Sequence, residues 1–219
     1  MFNIPFEELP GLLRQPEEWG NLPQPKKGLV CSGSVPDEKD CVALWDFYQM
    51  PEHIRRHSEL VAAYALQLGR TLSERGVCLD LPALYASALL HDLAKMHCLE
   101  YGGSHAQVGA AWVVQKTGQH LLAQGVLFHV YWPWPLCLES WPLPLLIGYA
   151  DKRVMHDQFV GLRERFADLT ERYGHDQKSR EWMRRIESQT CELERQLREK
   201  YGVDVNADFA YSWRLVQRV

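Results

Sequence analysis

The stretch LPALYASALLHDLAKM, residues 81–96, carries apolar side chains on almost every side of the helix that it predicts. Asp80 before it is a suitable N-cap, and Pro82 fits the first turn, where its missing N–H leaves no helical hydrogen bond unmade. A helix that is apolar all round belongs in the interior of a protein. This stretch therefore predicts the central helix of a helical bundle.

The flanking segments predict further helices around this one. Between Pro51 and Gly76, apolar residues recur at intervals of three and four, as on one face of an α-helix. Ser104 and Gly118 have the residue types of an N-cap and of a C-terminal stop. Similar patterns occur in LLAQGVLFHVYW, in LLIGYADKRVMHD and in two amphipathic segments that meet near Gly174. No stretch shows the period-two alternation of a strand, so the predicted fold class is all-α.

The chain divides into three predicted regions. Residues 1–49 are expected to form an irregular N-terminal arm packed on the core, because six of the twelve prolines fall in its first forty positions. Residues 50–157 are expected to form the helical core. Residues 158–219 are expected to form a C-terminal helical extension, folded as a hairpin.

Composition disfavours several classes of protein. With 24 basic and 28 acidic residues the net charge is -4, and the basic residues are scattered, so binding to nucleic acid is not predicted. The N-terminus lacks the pattern of a signal peptide, and no run of 18 apolar residues predicts a membrane span. Six cysteines without a CxxC pair indicate reduced thiols, so we expect a cytoplasmic protein.

Side chains of metal-ligand type interrupt five of the apolar segments. Asp92 lies in the most apolar helix, where an unpaired carboxylate is costly. His91 precedes it and Lys95 follows one turn later, so an ion pair between Asp92 and Lys95 explains the carboxylate equally well. The other segments carry His57, His105, His129 and Asp151. Four histidines and two aspartates exceed the ligands of one catalytic ion, which favours two ions bridged by a carboxylate.

Three motifs place these residues in a fixed order. His57 is followed by LLHDLAK, which contains His91 and Asp92, and later by GYADKR, which contains Asp151. This series resembles the HD-domain metal-dependent phosphohydrolases over residues from about 50 to 155. HAQVGAAWV, which starts at residue 105, is similar to the HPxxGAxxL helix of the HDIG branch, and His129 matches its next histidine. Where that branch usually has Ile and Gly after the pair, this chain has Leu and Ala, which alters packing residues and no ligand.

The resemblance implies a five-helix core around a dinuclear site. One ion would be held by His57, His91, Asp92 and Asp151. The second would be held by Asp92, His105 and His129, with Asp92 as the bridge. Both would be divalent transition metals, iron or manganese in the first place, with cobalt, nickel and zinc also compatible with these ligands.

The expected function is hydrolysis of a phosphoester or phosphoanhydride bond in a small nucleotide by a metal-activated hydroxide. Asp92 and Lys95 are expected to be catalytic. Lys95 and Arg153 are expected to bind substrate phosphate. The alternative for Arg153 is a position on a solvated helix face. The expected partner is a small phosphorylated substrate, with no nucleic acid and no membrane, and the sequence leaves a homodimer open.

Other interpretations fit the same residues. The chain could be a non-catalytic metal- or nucleotide-binding sensor, or the histidines could form a structural site with closed coordination. Trp132, Trp134 and Trp141, which follow His129, could stack on a nucleobase or pack to stiffen their proline-rich loop. His53, one turn before His57, is a rival for the first metal ligand.

Overall fold

The computed structural model describes residues 34–206 and shows an all-α bundle, as the sequence predicts. Its helices are α1 (Glu38–Phe47), α2 (Glu52–Glu74), α3 (Leu81–Leu90), α4 (Lys95–Tyr101), α5 (His105–Thr117), α6 (His120–Phe128), α7 (Pro142–Lys152), α8 (Leu162–Tyr173) and α9 (Gln177–Glu199). A two-stranded antiparallel hairpin, β1 (Val154–Met155) and β2 (Gln158–Phe159), pairs Val154 with Phe159 and was not expected from the sequence.

Helix α3 is the buried centre that its sequence predicts. The Asp80 carboxylate accepts a hydrogen bond from the Ala83 N–H and caps the first turn. Leu84, Leu89 and Leu90 are buried, and the helix packs against α2, α6 and α7. Full burial of one such leucine is worth about 1.5–3 kcal/mol, so α3 supplies much of the apolar surface that holds the bundle together.

The prediction of one continuous helix over residues 81–96 is wrong. Helix α3 ends at Leu90, residues 91–94 form a turn, and α4 begins at Lys95. Within the turn the Leu93 N–H donates to the Leu90 carbonyl and the Lys95 N–H to the Asp92 carbonyl, which are i to i−3 bonds. Adjacent residues of a regular helix point about 100° apart, so the turn allows His91 and Asp92 to face the same site.

The N-terminal arm predicted over residues 1–49 contains a helix at its end. Helix α1 begins after Pro36, where Asp37 and Asp40 form a capping box. The Trp45 indole N–H donates to the Leu89 carbonyl at 3.0 Å, which attaches α1 to α3. The prolines that disfavour a helix all precede α1, so their effect does not extend to it. The rest of the arm, residues 1–33, lies outside the described residues.

The C-terminal extension forms the predicted hairpin. Helix α8 ends at Gly174, and α9 begins with Asp176 as N-cap and packs against α8. The extension is joined to the core, since the Tyr149 hydroxyl donates to Glu194 at 2.6 Å and the Tyr64 hydroxyl to the Val205 carbonyl at 2.8 Å. Residues 207–219 lie outside the described part. Among the helices of residues 34–206, none combines the length and the hydrophobicity that a bilayer crossing requires.

Candidate metal centre

The six predicted metal ligands come together at one place in the bundle. His57 lies in the second turn of α2, His105 begins α5, and Asp151 lies in the last turn of α7. His91 is the C-cap of α3, His129 is the C-cap of α6, and Asp92 follows His91 in the turn. All but His105 are buried, and His105 is half-buried. The ends of several helices thus meet around a single polar cluster.

His57, His91 and Asp92 form a first group that could hold a metal ion. Asp92 Oδ2 lies 3.9 Å from His57 Nε2 and 3.6 Å from His91 Nε2. Asp151 lies beside this group, with its Oδ1 3.1 Å from His57 Nε2 and 3.8 Å from His91 Nε2. The four residues that the resemblance implies for one ion are therefore neighbours.

Asp92, His105 and His129 form a second group that could hold a metal ion. Asp92 Oδ1 lies 3.3 Å from His105 Nε2 and 3.7 Å from His129 Nε2, and the two Nε2 atoms are 3.1 Å apart. Asp92 thus turns Oδ2 to the first group and Oδ1 to the second. This is the arrangement expected of a carboxylate shared between two sites.

Backbone carbonyls orient three of the histidine rings. Nδ1 of His91 lies 2.6 Å from the Ala88 carbonyl oxygen, and Nδ1 of His129 lies 2.7 Å from that of Val126. Nδ1 of His57 lies 3.0 Å from the His156 carbonyl oxygen. A carbonyl only accepts, so each Nδ1 carries a proton and Nε2 is the nitrogen that faces the centre. Histidines that bind metals are oriented in this way by their other nitrogen.

Several atoms of the cluster lack the positive partner that their chemistry needs. His57 Nε2 faces Asp151 Oδ1 at 3.1 Å, and this nitrogen and oxygen attract each other only when a proton or a metal ion lies between them. Within residues 34–206, His91 Nε2 and Asp92 Oδ1 are buried without a hydrogen-bond partner. Buried polar atoms are rarely left unsatisfied, so this donor set fits bound cations.

The charges of the cluster also suit a cation. Burial would raise the pKa of Asp92, but Lys95 and the neighbouring histidines hold it well below its usual value, and Lys152 has the same effect on the pKa of Asp151. Burial lowers the pKa of His105 and of His129. At neutral pH these four groups are therefore ionised carboxylates and neutral imidazoles, the forms that bind metals. For His91, burial opposes protonation but Asp92 raises the pKa, so a proton there competes with a metal.

Two lysines neutralise the two carboxylates. Lys95 Nζ lies 2.6 Å from Asp92 Oδ2, and its side chain is one-third exposed. Lys152 is buried, and its Nζ lies 2.5 Å from Asp151 Oδ2 and 3.3 Å from the His129 carbonyl oxygen. Nothing in the sequence marks Lys152 for this role, because a lysine in the last turn of a helix usually points to solvent.

The structure does not bring the side chain of Arg153 into this cluster, and its role in substrate binding stays a prediction. Its side chain is 2% exposed and turned into the junction between α7, α9 and the C-terminal segment. The guanidinium donates to the Val160 carbonyl, to the Tyr149 hydroxyl, to Glu194 and to Asn206. The sequence places Arg153 two residues from Asp151, but Arg153 caps α7, and its side chain serves packing instead.

A cavity of about 400 Å³ opens beside the first group, with His57 and Lys95 in its wall. Small-molecule sites in proteins have volumes of roughly 300–1,000 Å³. Its other charged or imidazole side chains are His53, Arg56, His156, Asp157, Arg165 and Arg172, and its apolar side chains are Ile54, Met96, Leu99, Leu169 and Tyr173. Nothing in the sequence marks Arg165 and Arg172 as cavity residues, because they lie on an amphipathic helix that resembles any solvated one.

Two alternatives left open by the sequence are decided by this geometry. Trp132, Trp134 and Trp141 are buried, and their rings pack on one another, so they stiffen the loop and do not face the cavity as a stacking platform. His53 lies in the cavity wall, while the metal-ligand group includes His57.

Comparison of the chain with protein-family models, with curated proteins and with solved structures finds no match.

Proposed function

We propose that this protein is a metal-dependent phosphohydrolase of the HD-domain type, which cleaves a phosphoester or phosphoanhydride bond of a small nucleotide. The observation that carries the proposal is the pair of three-residue groups that share Asp92. Two divalent transition-metal ions would occupy them, with iron or manganese as the first candidates and cobalt, nickel or zinc as others. When bound, such ions lower the pKa of a coordinated water towards neutrality and withdraw charge from a phosphoryl oxygen.

The chain's own residues keep the centre in the form that this reaction requires. His57, His91 and His129 present Nε2 because backbone carbonyls hold the proton on Nδ1. Asp92 fixes the spacing of the two groups, since one side chain serves both. Lys152 holds Asp151 in the ionised state and fixes the direction of its carboxylate. A centre that is oriented before substrate arrives loses little free energy in reorganisation during the reaction.

Lys95 is the residue that we propose to meet the substrate phosphate. Its Nζ contacts Asp92 and its side chain faces the cavity, so it joins the metal centre to the space where a substrate would lie. Burial opposes the charge, but Asp92 raises the pKa of Lys95, so the ammonium group is kept at neutral pH. A fixed positive charge there stabilises the negative charge on a transferring phosphoryl group.

The form of the cavity supports a nucleotide as substrate. Its wall combines cationic side chains with the apolar surface of Met96, Leu99 and Tyr173. A molecule with a phosphate at one end and a flat base at the other matches both surfaces.

The five cysteines of the described part are all unpaired, which supports the reducing cytoplasm as the compartment.

The test begins with elemental analysis of protein purified without oxygen. The same sample is then incubated with nucleoside monophosphates, nucleoside diphosphates and dinucleoside polyphosphates, with manganese or iron added. We expect phosphate-releasing or bond-splitting turnover that depends on the metal. His129→Gln removes a ligand at the end of α6, and His120→Gln removes an exposed histidine at the start of that helix, so only the first variant should lose turnover.

One result would overturn this proposal. If folded protein with its metals bound is inactive on the whole panel, the hydrolase interpretation fails, and a metal- or nucleotide-binding sensor becomes the better description. The ligand set favours the enzyme, because both groups have all three of their members in place.

A further inference from the structure

The cavity beside the metal centre holds more positive charge than one phosphate requires. Four of its lining residues are lysine or arginine, namely Arg56, Lys95, Arg165 and Arg172, and one is acidic, Asp157. Lys95 contacts the shared carboxylate of Asp92, and two of the arginines come from α8, where Arg165 lies 3.9 Å from Asp151. The cavity therefore has cationic groups from separate elements.

Arg165 is a buried arginine with an unused donor. Its side chain is about nine-tenths buried, Nη1 lies 3.1 Å from Asp168 Oδ2, and Nη2 lies 3.9 Å from Asp151 Oδ1. Within residues 34–206 its Nε–H has no hydrogen-bond partner. A buried guanidinium usually satisfies its donors, so this group is placed to receive an anionic oxygen. Its distance from Asp151 puts it at the edge of the metal centre.

Arg172 extends the same cationic surface outward. It lies two turns after Arg165 on α8, and Asp168 Oδ1 holds its Nε at 2.8 Å. Its Nη2 lies 3.0 Å from His156 Nε2, and the carbonyl of His156 is the group that orients His57. The Asp168 carboxylate thus holds two guanidiniums, and the three groups together carry a net charge of +1. The planar guanidiniums keep N–H groups that can donate to phosphate oxygens.

We propose that Arg165 and Arg172 form a subsite for a second, non-reacting phosphate, so that the substrate carries at least two linked phosphates. This inference rests on the proposed function for the position of the first phosphate, between the metal centre and Lys95. A substrate with one phosphate would leave the arginines of α8 unused. A diphosphate or longer chain would contact both cationic regions at once.

The test measures binding and does not depend on turnover. Protein saturated with manganese is titrated calorimetrically with α,β-methylene ADP and with the 5′-phosphonate analogue of AMP, in which a methylene replaces the 5′ oxygen. Because a charge-assisted hydrogen bond adds roughly tenfold or more to affinity, we expect the diphosphate analogue to bind at least about tenfold more tightly.

Variants locate the effect. Arg172→Ala should weaken the diphosphate analogue about tenfold and the monophosphate analogue less than about twofold, with metal content unchanged. Arg165→Lys keeps the positive charge of a buried residue and loses the planar guanidinium. It should also weaken the diphosphate analogue more than the monophosphate analogue. Arg163→Ala is the matched control, since Arg163 is exposed on the same helix and is not among the cavity-lining residues. It should change neither affinity.

Three outcomes would overturn the subsite. They are equal affinity of the two analogues, no binding of the diphosphate analogue, or an equal loss of both affinities in Arg172→Ala. Failure of the hydrolase proposal looks different, because it shows as the absence of turnover on the nucleotide panel, whatever the binding selectivity.

Discussion

Replacing Asp92 with asparagine should remove both of the proposed metal sites at once. The carboxylate turns one oxygen to each group, and the asparagine amide would keep its size while losing its negative charge. In the wild-type protein, added manganese should raise the thermal midpoint, because a ligand that binds only the folded state stabilises it. In Asp92→Asn, almost all of that rise should disappear.

The size of the effect follows from the two groups. At a metal concentration 100 times the dissociation constant, each site adds about 2.7 kcal/mol, so two sites add about 5 kcal/mol. For a chain of this length, 1 kcal/mol shifts the midpoint by about 2–4 °C, which gives a rise of roughly 10–20 °C. If the substitution weakens each site about 100-fold, each adds only about 0.4 kcal/mol, and the rise falls to about 2–3 °C.

The assay is a series of thermal melts against manganese concentration, followed by elemental analysis of desalted protein. Asp80→Asn is the matched control, because the N-cap of α3 loses the same charge but asparagine caps a helix equally well. Its manganese-dependent rise should equal that of the wild type. A full rise in Asp92→Asn would refute the shared site, and a loss of only one equivalent of metal would refute the bridging position of Asp92.

Three further substitutions or reactions test separate parts of the structure. Lys95→Met should lower kcat/KM by about 100-fold with metal content unchanged, measured by steady-state kinetics, and wild-type kinetics would exclude Lys95 from the reaction. Gly125→Ala should lower the free energy of unfolding by about 1–3 kcal/mol in urea titrations, because the new Cβ would lie 2.6 Å from Ile147 Cδ1; unchanged stability would contradict the close packing of α6 on α7. Burial raises the pKa of the Cys41 thiol to about 12, so at pH 8 a disulfide reagent should modify exposed Cys78 and leave Cys41 unmodified until the protein unfolds; rapid reaction of Cys41 would contradict its burial.

Local sequence patterns predict most of the helices because capping and periodicity are short-range properties. Asp80 caps α3 through a hydrogen bond to a residue three positions away, and Gly118 ends α5 in the left-handed conformation that glycine adopts easily. The same approach fails at the turn of residues 91–94. That stretch has no glycine or proline to mark a break, and its neighbours are apolar on both sides.

The candidate ligands could be recognised because each is a polar residue in an apolar segment, where burial without a partner costs free energy. A buried carboxylate such as Asp92 requires a partner, and this requirement is visible in the sequence before any partner is known. The direction of a side chain is a different matter. Arg153 follows Asp151 closely in sequence, but its guanidinium points to Glu194 and Asn206, which are far away along the chain.

The all-α class, the central position of α3 and the residue types of a candidate metal site follow from the order of apolar and polar residues, because burial and helix periodicity depend on it. Which atoms face one another depends on how the helices pack. Packing placed the two oxygens of Asp92 towards His57 and His105, brought Lys152 to the His129 carbonyl, and set the arginines of α8 in the wall of the cavity. Those contacts join residues from distant parts of the chain, so they have no local signal in the sequence.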